Sequence, residues 1–334
     1  MVKISSFQAL RPIENLADKV PTKPYLNYSE SDIVKEKKEN PHSFLNIIHE
    51  HQIKNIEKRF AKIKSNINKF KKQQIFKKEK KSCLYVYRQS QKKQQYTGLI
   101  CALDLNDYIN NNIKIHEKTI KKRERLFSKY LSITKIHAEP VLITYDNNHQ
   151  LIKTKHMMVQ NKLYDFKTKD KVRHQIWKIS QNQEINSIIQ FFKKTKTLYI
   201  ADGHHRMASS SSLINNKKCL AYILPKSNLK TYPFHRALSI EKNTEKTLKN
   251  LYEIAGIKNI KSPKKTTKNI QFYRDGQWHE LVVKNKQNIL ENLLVNKLLK
   301  NILKPIFSIK DERKNKNIRF IPGNQSIHDI TKKI

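Results

Sequence analysis

The clearest pattern of hydrophobic and polar positions lies between residues 53 and 70. Apolar side chains recur there at steps of three and four: Ile53, Ile56, Phe60, Ile63, Ile67 and Phe70. Residues at these steps share one face of a helix, because an α-helix turns once about every 3.6 residues. The pattern therefore predicts an amphipathic helix that packs this face on a sheet.

Short apolar runs between polar or turn-forming residues predict strands along the rest of the chain. They lie at 4–10, 83–88, 97–103, 112–116, 140–145, 162–166, 172–179, 198–201 and 219–224. Helical patterns lie at 117–131 and 185–192. Further on, 271–278 predicts a hairpin, and 289–303 predicts an apolar helix that Pro305 stops. Because hairpins and crossover helices both occur, we expect an α+β fold of the mixed α/β kind.

A lysine-rich stretch at 258–268 is the best candidate for a boundary between two regions. The length of 334 residues is enough for one large domain or two ordinary ones. We expect a main α+β domain over residues 1–257 and a C-terminal region of hairpin and helix over residues 258–334.

The net charge of +40 is high enough to suggest a nucleic acid or an anionic membrane as partner. However, Lys, Asn and Ile are all abundant while Gly, Ala and Arg are scarce, which indicates a compositional bias of the whole gene. The lysines are also spread along the chain rather than clustered with arginine and aromatic residues. These observations argue against a nucleic-acid partner and favour a small anionic molecule as the ligand.

The cysteines and the N-terminus indicate the compartment of the protein. Cys83, Cys101 and Cys219 lack the spacing of a metal or redox site, and we expect them to be reduced. Residues 1–7 lack the apolar stretch of a signal peptide, and no apolar run approaches the length of a membrane span. We therefore expect a soluble cytoplasmic protein without a membrane partner.

The most informative stretch follows the apolar run at 198–201. Its residues are Asp202, Gly203, His204, His205 and Arg206, and a helical pattern continues beyond them. This order predicts a strand, a sharp turn and the start of a helix. Helix starts carry unpaired backbone N–H groups and the positive end of the helix dipole, which suit a phosphate group.

Each residue of this stretch has a possible role in a phosphate site. Asp202 could hold Mg²⁺ or accept a proton from a hydroxyl group. Gly203 lets the backbone turn close to a phosphate, and His204, His205 and Arg206 add hydrogen-bond donors. The alternative is that Asp202 caps the helix, but a cap accounts for only one residue of the stretch.

A second polar cluster, His116-Glu117-Lys118-Thr119, lies at the end of another predicted strand. Lys118 could meet a phosphate as a point charge, and Glu117 could act as a base. Thr119 could bind the ligand or cap the following helix. The alternative is an ordinary helix start with mixed charges, and the residues alone leave both interpretations open.

Arg173 and Arg236 are further candidates for phosphate binding, because an anion site built from several strand ends needs such side chains. Two common nucleotide sites are excluded, since the chain has neither a Gly-x-x-x-x-Gly-Lys-Ser/Thr loop nor a Gly-x-Gly-x-x-Gly turn. His204 and His205 are adjacent, so they lack the i, i+4 spacing of a helical zinc pair.

The stretch from Asp202 to Arg206 resembles the central motif of the DUF1015 family. Other segments resemble that family in the same order along the chain: Phe7 to Pro12, Asn40 to Leu45, Leu84 to Gln89, Thr97 to Leu99, His116 to Thr119, Val172 to His174 and Ile176 to Trp177. The motif also resembles the shared core of the ParB/sulfiredoxin-like fold, a group that includes the free-serine kinases. The resemblance implies such a core, elaborated with extra strands and helices.

The chain departs from the family pattern in two places. The segment Lys23-Pro24-Tyr25-Leu26 lacks the acid of the Pro-Pro-Tyr-Asp segment that family members carry. The chain also stops at Ile334 without the Met-Pro-Pro-Lys-Ser-Thr-like segment that ends family members. We expect a shortened copy, whose activity is weak or absent if that segment lines the site.

These features predict a phosphotransferase or a phosphate-releasing enzyme that acts on free serine or phosphoserine. The predicted catalytic residues are Asp202, His204, His205 and Glu117. The predicted substrate- and phosphate-binding residues are Gly203, Arg206, His116, Lys118, Thr119, Arg173 and Arg236. The resemblance to the kinases implies Mg²⁺ held by Asp202, and ADP or ATP as the nucleotide.

Two other functions remain open. The chain could be a nucleotide-binding ParB-like module with a regulatory or DNA-associated role. It could also be a degraded member of the family without catalytic activity.

Overall fold

In the part of the chain that the structure describes, residues 1–230 form one unit that contains a mixed sheet of nine strands. The computed structural model describes residues 1–23, 28–146, 162–213, 217–232, 234–239, 249–253, 255–264, 267–283, 286–312, 315–323 and 327–331. The segment at 24–26, where the chain departs from the family pattern, lies outside these residues.

The strands of residues 1–230 are numbered in chain order. They are β1 Ile4–Ser5, β2 Leu10–Pro12, β3 Phe76–Lys78, β4 Leu84–Gln91, β5 Gln94–Asp104, β6 Ile113–Lys114, β7 Val141–Tyr145, β8 Lys162–Lys167, β9 Arg173–Ile179, β10 Leu198–Asp202 and β11 Lys218–Pro225. The large sheet has the order β6-β10-β7-β11-β5-β4-β9-β8, with β1 paired to β5, while β2 and β3 pair separately. Two pairs are parallel, β6 with β10 and β7 with β11, and the other pairs are antiparallel.

The helices of the same region are also numbered in chain order. They are α1 Glu30–Glu39, α2 Leu45–Ile48, α3 Ile56–Lys72, α4 Leu105–Ile109, α5 Lys121–Thr134, α6 Asn182–Lys193 and α7 His204–Ser211. Helices accompany a mixed sheet with both parallel and antiparallel pairs, and the α+β fold class is therefore confirmed. No helix among the described residues is long and apolar enough to cross a lipid bilayer.

The main hydrophobic core lies on one face of the large sheet. Alternate residues of each strand point to the same face, so β4 contributes Leu84 and Val86 to this core. Two helices add side chains to it, with Ile188 and Phe192 from α6 and Met207 from α7. The strand before the polar stretch at 202–206 and the helix after it are therefore both anchored in the core.

The amphipathic helix predicted between residues 53 and 70 is confirmed as α3. Its buried residues include Phe60, Ile63, Ile67 and Phe70, and the Asn55 side chain caps its first turn by accepting the backbone N–H of Lys58. Its apolar face forms a second hydrophobic cluster with β3, α2 and part of α5. The helix therefore packs on these elements, and the sheet that it contacts is the two-stranded sheet of β2 and β3.

Residues 231–334 form a second compact unit. Its strands are β12 Phe234–Leu238, β13 Gly256–Ile260, β14 Ile270–Arg274, β15 Gln277–Val282 and β16 Ile318–Pro322. The order β13-β15-β14 makes an antiparallel sheet, and β12 pairs with β16. The predicted hairpin at 271–278 is confirmed as β14 and β15. The division at residues 230 and 231 differs from the predicted one at 257 and 258, a position that lies inside β13.

The apolar helix predicted over residues 289–303 is wrong as a single element. The segment consists of a short 3₁₀ turn at Ile289–Asn292, an α turn at Leu294–Lys297, a π turn at Leu298–Leu303 and an α turn at Lys304–Phe307. Leu293 is extended, which separates the first two turns. Pro305 follows directly on the π turn. The backbone is helical before it, at Leu303 and Lys304, and continues to Phe307, so the proline does not end the helical segment.

Candidate functional site

Three chain segments meet at the carboxyl end of β10. Because β6 runs parallel to β10, the loop that follows β6 lies at the same edge of the sheet as Asp202. Because β7 runs antiparallel to β10, the start of β7 lies there too. The two polar clusters predicted from the sequence, at 116–119 and 202–206, are thus brought together by the sheet.

The predicted strand, sharp turn and helix are confirmed at the end of β10. The register between β10 and β7 shifts between Ile200 and Asp202, which marks a bulge at the last residues of the strand. Gly203 then has φ +93°, in the left-handed region that favours glycine. A Cβ on Gly203 would also lie 2.9 Å from Nε of Arg206. This turn therefore requires glycine for both its backbone angle and its space.

Arg206 ties the end of β10 to the start of β7. Its Nη2 donates to Oδ2 of Asp202 at 2.6 Å, and its Nη1 donates to the carbonyl oxygen of Pro140 at 2.6 Å. The same Nη1 lies 3.1 Å from Oε1 of Glu139. The guanidinium was predicted to grip a phosphate, but both of its terminal nitrogens already donate to protein groups. Asp202 is likewise a partner of Arg206, and Gly203, not Asp202, is the N-cap of α7.

His204 is buried and contacts the loop after β6. Its Nε2 accepts a hydrogen bond from the backbone N–H of His116 at 3.4 Å, and the two imidazole rings meet edge to face with centroids 4.4 Å apart. Nδ1 of His204 lies 3.7 Å from Oε2 of Glu117. Burial, and then the nearby His116, lower the pKa of His204, while Glu117 opposes the shift. The ring is therefore neutral and carries its hydrogen on Nδ1, facing the Glu117 carboxylate.

His205 contacts the far end of the same loop. Its Nε2 accepts a hydrogen bond from the backbone N–H of Ile120 at 3.0 Å. The helix predicted to begin at residue 117 begins instead at Lys121, with Ile120 as its N-cap. The physical reason is that the histidines of α7 bind this backbone in a non-helical form. Residues 116–120, which we call the pocket loop, are therefore held between β6 and α5.

A small network closes the pocket loop onto α5. The Thr119 hydroxyl donates to Oε1 of Glu124, and Nζ of Lys121 lies 2.9 Å from Oε2 of the same carboxylate. The hydrogen bond from Thr119, followed by the one from Lys121, lowers the pKa of Glu124. Glu124 thus stays ionised, and Thr119 is held with its hydroxyl toward α5.

The serines of α7 pack this helix against α5. The Ser209 hydroxyl is fully buried and donates to the carbonyl oxygen of His205 at 2.6 Å, with the carbonyl of Glu124 also 3.1 Å away. The Ser212 and Ser128 hydroxyls lie 2.7 Å apart across the two helices. Their partners are helix atoms, so these serines form a packing face of small residues between the two helices.

A pocket of about 270 Å³ opens beside the pocket loop. Its lining residues are Tyr108, Ile115, Glu117, Lys118, Thr119, Lys121 and His204. Of the residues predicted for the site, the lining thus includes Glu117, Lys118, Thr119 and His204. Asp202, Gly203, His205 and Arg206 are not among the lining residues and lie at the junction of β10 with α7. The two predicted clusters are adjacent, but the cluster at 116–119 supplies three of the lining residues and the cluster at 202–206 supplies only His204.

Arg173 is not brought to this pocket. It lies on β9, with β4, β5, β11 and β7 between it and β10, which corresponds to about 24 Å at roughly 4.8 Å per strand. Two of its guanidinium nitrogens bind Asp165, with Nε 2.7 Å from Oδ1 and Nη2 2.8 Å from Oδ2. The sequence could not separate Arg173 from the site, because strand order is a tertiary property.

Arg236 lies on β12 of the second unit. Its Nε donates to Oε2 of Glu312 at 2.7 Å, and its Nη1 donates to the carbonyl oxygen of Phe234 at 2.6 Å. The guanidinium also stacks over the ring of Phe320. These contacts give Arg236 a structural role within the second unit.

Several residues of the site carry no signal in the sequence. Tyr108 and Ile115 line the pocket, Glu124 binds the pocket loop, and Glu139 contacts Arg206. Lys121 and Glu124 are three residues apart on a helix, a spacing typical of an ion pair. The roles of the others follow only from the packing of α4, α5 and β7 around the end of β10.

The residues around Asp202 bear on whether a metal could bind there. Among the described residues, no three His, Cys, Asp or Glu side chains are grouped as a metal site. Mg²⁺ often binds through one or two carboxylates together with substrate phosphates, so it does not need such a group. Asp202 uses Oδ2 for Arg206, but its side chain is 71% exposed. A cation held by this carboxylate and by phosphate oxygens fits these residues.

The fold and the site together define an α+β protein with a polar pocket at the carboxyl edge of its sheet. The chain belongs to DUF1015, a family described as protein of unknown function, whose match covers residues 4–304. No curated protein sequence matches the chain.

Among solved structures, the chain is similar to a free serine kinase, a mutant form in complex with AMP. The two share 14% sequence identity, and the match covers 70% of this chain and 71% of that chain. The TM-score is 0.34, which is too low to support an argument about either fold or function. The ParB/sulfiredoxin-like core therefore stays a prediction.

Proposed function

We propose that the first unit binds a small phosphorylated compound in the pocket beside residues 116–120 and transfers or releases its phosphate. The compound that we propose is phosphoserine in the release direction, and free serine, which accepts the phosphate of a nucleotide, in the transfer direction. One observation carries the proposal: a carboxylate (Glu117), an ammonium group (Lys118) and a buried neutral imidazole (His204) line one pocket at a strand end. Phosphoryl transfer needs mainly this combination of charge neutralisation and an aligned hydroxyl group.

The size of the pocket supports a small ligand. Pockets for small molecules commonly measure about 300 to 1,000 Å³, so a pocket of about 270 Å³ suits an amino acid or its phosphate ester. The nucleoside part of ADP or ATP would extend beyond it. Tyr108 and Ile115 give the pocket an apolar wall opposite its charged residues, which suits the carbon chain of such a ligand.

The pocket residues would have distinct roles. In the transfer direction, the serine hydroxyl oxygen bonds to phosphorus, the bond from phosphorus to the nucleotide oxygen breaks, and Glu117 accepts the hydroxyl proton. The Nδ1–H of His204 faces this carboxylate and orients it. Lys118 and Lys121 neutralise the negative charge of the phosphate. In the release direction, a water molecule takes the place of the serine hydroxyl.

Asp202 would act beside this pocket. Mg²⁺, if bound, would be held by Asp202 and would neutralise charge on the phosphate oxygens. Arg206 keeps Asp202 at the end of β10 through the 2.6 Å ion pair. Asp202 is therefore the residue through which the β10 turn would contribute to the reaction.

The test measures phosphate release and thermal stability of the purified chain with phosphoserine, and with serine plus ADP or ATP, in the presence of Mg²⁺. Glu117→Gln removes the base and keeps the size of the side chain. We expect turnover to fall by a factor of about 100 or more, the usual contribution of a general base. Asp165→Asn is the matched control, because it also replaces a carboxylate by an amide of the same size, but Asp165 lies on β8 at the other edge of the sheet.

The outcomes separate the proposed functions. Turnover that Glu117→Gln leaves unchanged would contradict the proposal, provided that the variant melts at the wild-type temperature. Stabilisation by nucleotide without turnover would favour a nucleotide-binding module. A stable fold without response to phosphoserine, serine or nucleotide would favour a degraded family member.

A further inference from the structure

The two adjacent histidines of α7 bind the two ends of the pocket loop. His204 accepts the N–H of His116 at 3.4 Å, and His205 accepts the N–H of Ile120 at 3.0 Å. Consecutive side chains on a helix diverge by about 100°, so neighbouring rings can reach atoms at opposite ends of a short loop. In both bonds an Nε2 atom is the acceptor, which requires an unprotonated nitrogen.

The hydrogen bond from the Ile120 N–H to His205 takes the place of a capping contact that α5 does not make within its own sequence. In a capping box, the side chain three residues after the N-cap accepts the N–H of the N-cap residue. Ile120 is the N-cap of α5, and the residue at that position is Arg123, which has no acceptor. Glu124, one residue further, is bound by Thr119 and Lys121. His205 supplies the missing acceptor from a different helix.

The helix that carries the histidines is itself firmly held. Arg206 binds Asp202 and the carbonyl of Pro140, which joins the first turn of α7 to β10 and to the start of β7. The carbonyl of His205 also accepts the buried hydroxyl of Ser209. Movement of the pocket loop relative to the sheet is therefore opposed by both imidazoles.

We infer that His205 is a positioning residue: together with His204 it forms a histidine clamp that holds the pocket loop, and its ring acts on the backbone of Ile120 instead of touching substrate. Three of the residues that line the pocket lie between the two held amides: Glu117, Lys118 and Thr119. The clamp thus sets the position of the groups that face the ligand. It also accounts for a pair of adjacent histidines at the start of one helix.

The test compares two substitutions of His205 in the full chain. His205→Gln keeps an acceptor oxygen at a similar reach, whereas His205→Leu keeps bulk without any acceptor. Backbone hydrogen exchange at Ile120 is measured by NMR or mass spectrometry. Ser211→Ala is the control, because its hydroxyl donates only within α7, to the carbonyl of Ala208.

We expect His205→Leu to speed exchange of the Ile120 amide about fivefold, the factor that one net hydrogen bond is worth. His205→Gln and Ser211→Ala should leave that rate within about twofold of the wild type, which is smaller than the effect of losing a hydrogen bond. An unchanged rate in His205→Leu would overturn the inference. Equal acceleration in His205→Leu and His205→Gln would overturn it too, because the ring would then matter only for packing.

A kinetic measurement adds a readout that rests on the proposed function. With phosphoserine as the probe, His205→Leu should raise KM or lower kcat/KM while His205→Gln restores the wild-type value. If both variants turn over phosphoserine at the wild-type rate and with the wild-type KM, the positioning role is overturned. If the wild-type protein has no turnover, the proposed function fails, and the exchange rates alone still decide whether the clamp exists.

Discussion

Two histidine–arginine pairs lie in the first unit, and they occupy very different surroundings. Arg173 and His174 lie inside β9, where every partner comes from a neighbouring strand or its hairpin. Arg173 binds Asp165 through two nitrogens, and Nδ1 of His174 lies 2.7 Å from the Tyr87 hydroxyl. The His174 ring stacks between Phe166 and Tyr87, with centroids 5.2 and 6.1 Å away. This pair is used entirely to hold the sheet together.

The second pair, His205 and Arg206, lies just beyond the end of β10. Its partners are backbone atoms of distant loops: the N–H of Ile120 is 85 residues away in sequence, and the carbonyl of Pro140 is 66 residues away. These contacts hold loops in place beside a pocket. The comparison teaches that the same residue types carry different roles within a strand that is paired on both sides and beyond the end of a strand, where loops and not strands supply the partners.

The largest effect on stability is expected at the turn on which the β10 edge depends. Gly203→Ala places a Cβ in a left-handed backbone position and against the Arg206 guanidinium at 2.9 Å. We expect it to lower the free energy of unfolding of the first unit by about 3 kcal/mol, through backbone strain and weakened charged hydrogen bonds. Hydrogen exchange at increasing urea concentration, read on β5 peptides, measures this change.

Gly276→Ala is the matched control for that turn. Gly276 also has a positive φ, +80°, but a Cβ there would meet nothing within 4 Å. Its cost to the second unit, read on β15 peptides, should be only about 1 kcal/mol of backbone strain. Equal costs for the two substitutions would show that Arg206 does not depend on the space at Gly203.

A smaller effect is expected from removing the arginine of each pair. Arg206→Met deletes a partly buried hydrogen bond to Pro140 and an exposed one to Asp202, and should destabilise the first unit by about 2 kcal/mol. Arg173→Met deletes a solvent-exposed ion pair with Asp165 and should leave stability nearly unchanged. Urea unfolding measures both variants. A larger loss for Arg173→Met than for Arg206→Met would reverse the comparison.

The smallest effect is expected on the pH dependence of stability, where His204 and His174 should behave alike. Burial lowers the pKa of both His204 and His174, so the folded protein disfavours their protonated forms. Their contribution to stability is therefore complete above the unfolded pKa of about 6.5, and is lost as the pH falls through the lower folded pKa. His204→Gln and His174→Gln should each reduce the drop in melting temperature between about pH 8 and about pH 5. An undiminished drop in both variants would contradict neutral histidines at these sites.

The sequence alone predicts those features that depend on neighbouring residues. The apolar steps of α3, the pairing of β8 with β9 and the hairpin with Asp275 and Gly276 at its tip are all visible in local patterns. The strand, turn and helix around Gly203 are visible for the same reason, since an apolar run, a glycine and a helical pattern follow one another. The candidate residues Glu117, Lys118, Thr119 and His204 are also found in this way, and the structure places them around one pocket.

Only the tertiary structure decides what each of these residues faces. The start of α5 at Lys121 depends on hydrogen bonds to histidines of a helix that follows later in the chain, since Ile120 and His205 are 85 positions apart. The exclusion of Arg173 from the pocket depends on strand order, and the engagement of Arg206 depends on the start of β7. Local sequence determines which element a residue joins, because backbone preferences act over a few residues. Site membership is a matter of long-range contacts, which no pattern of neighbouring residues records.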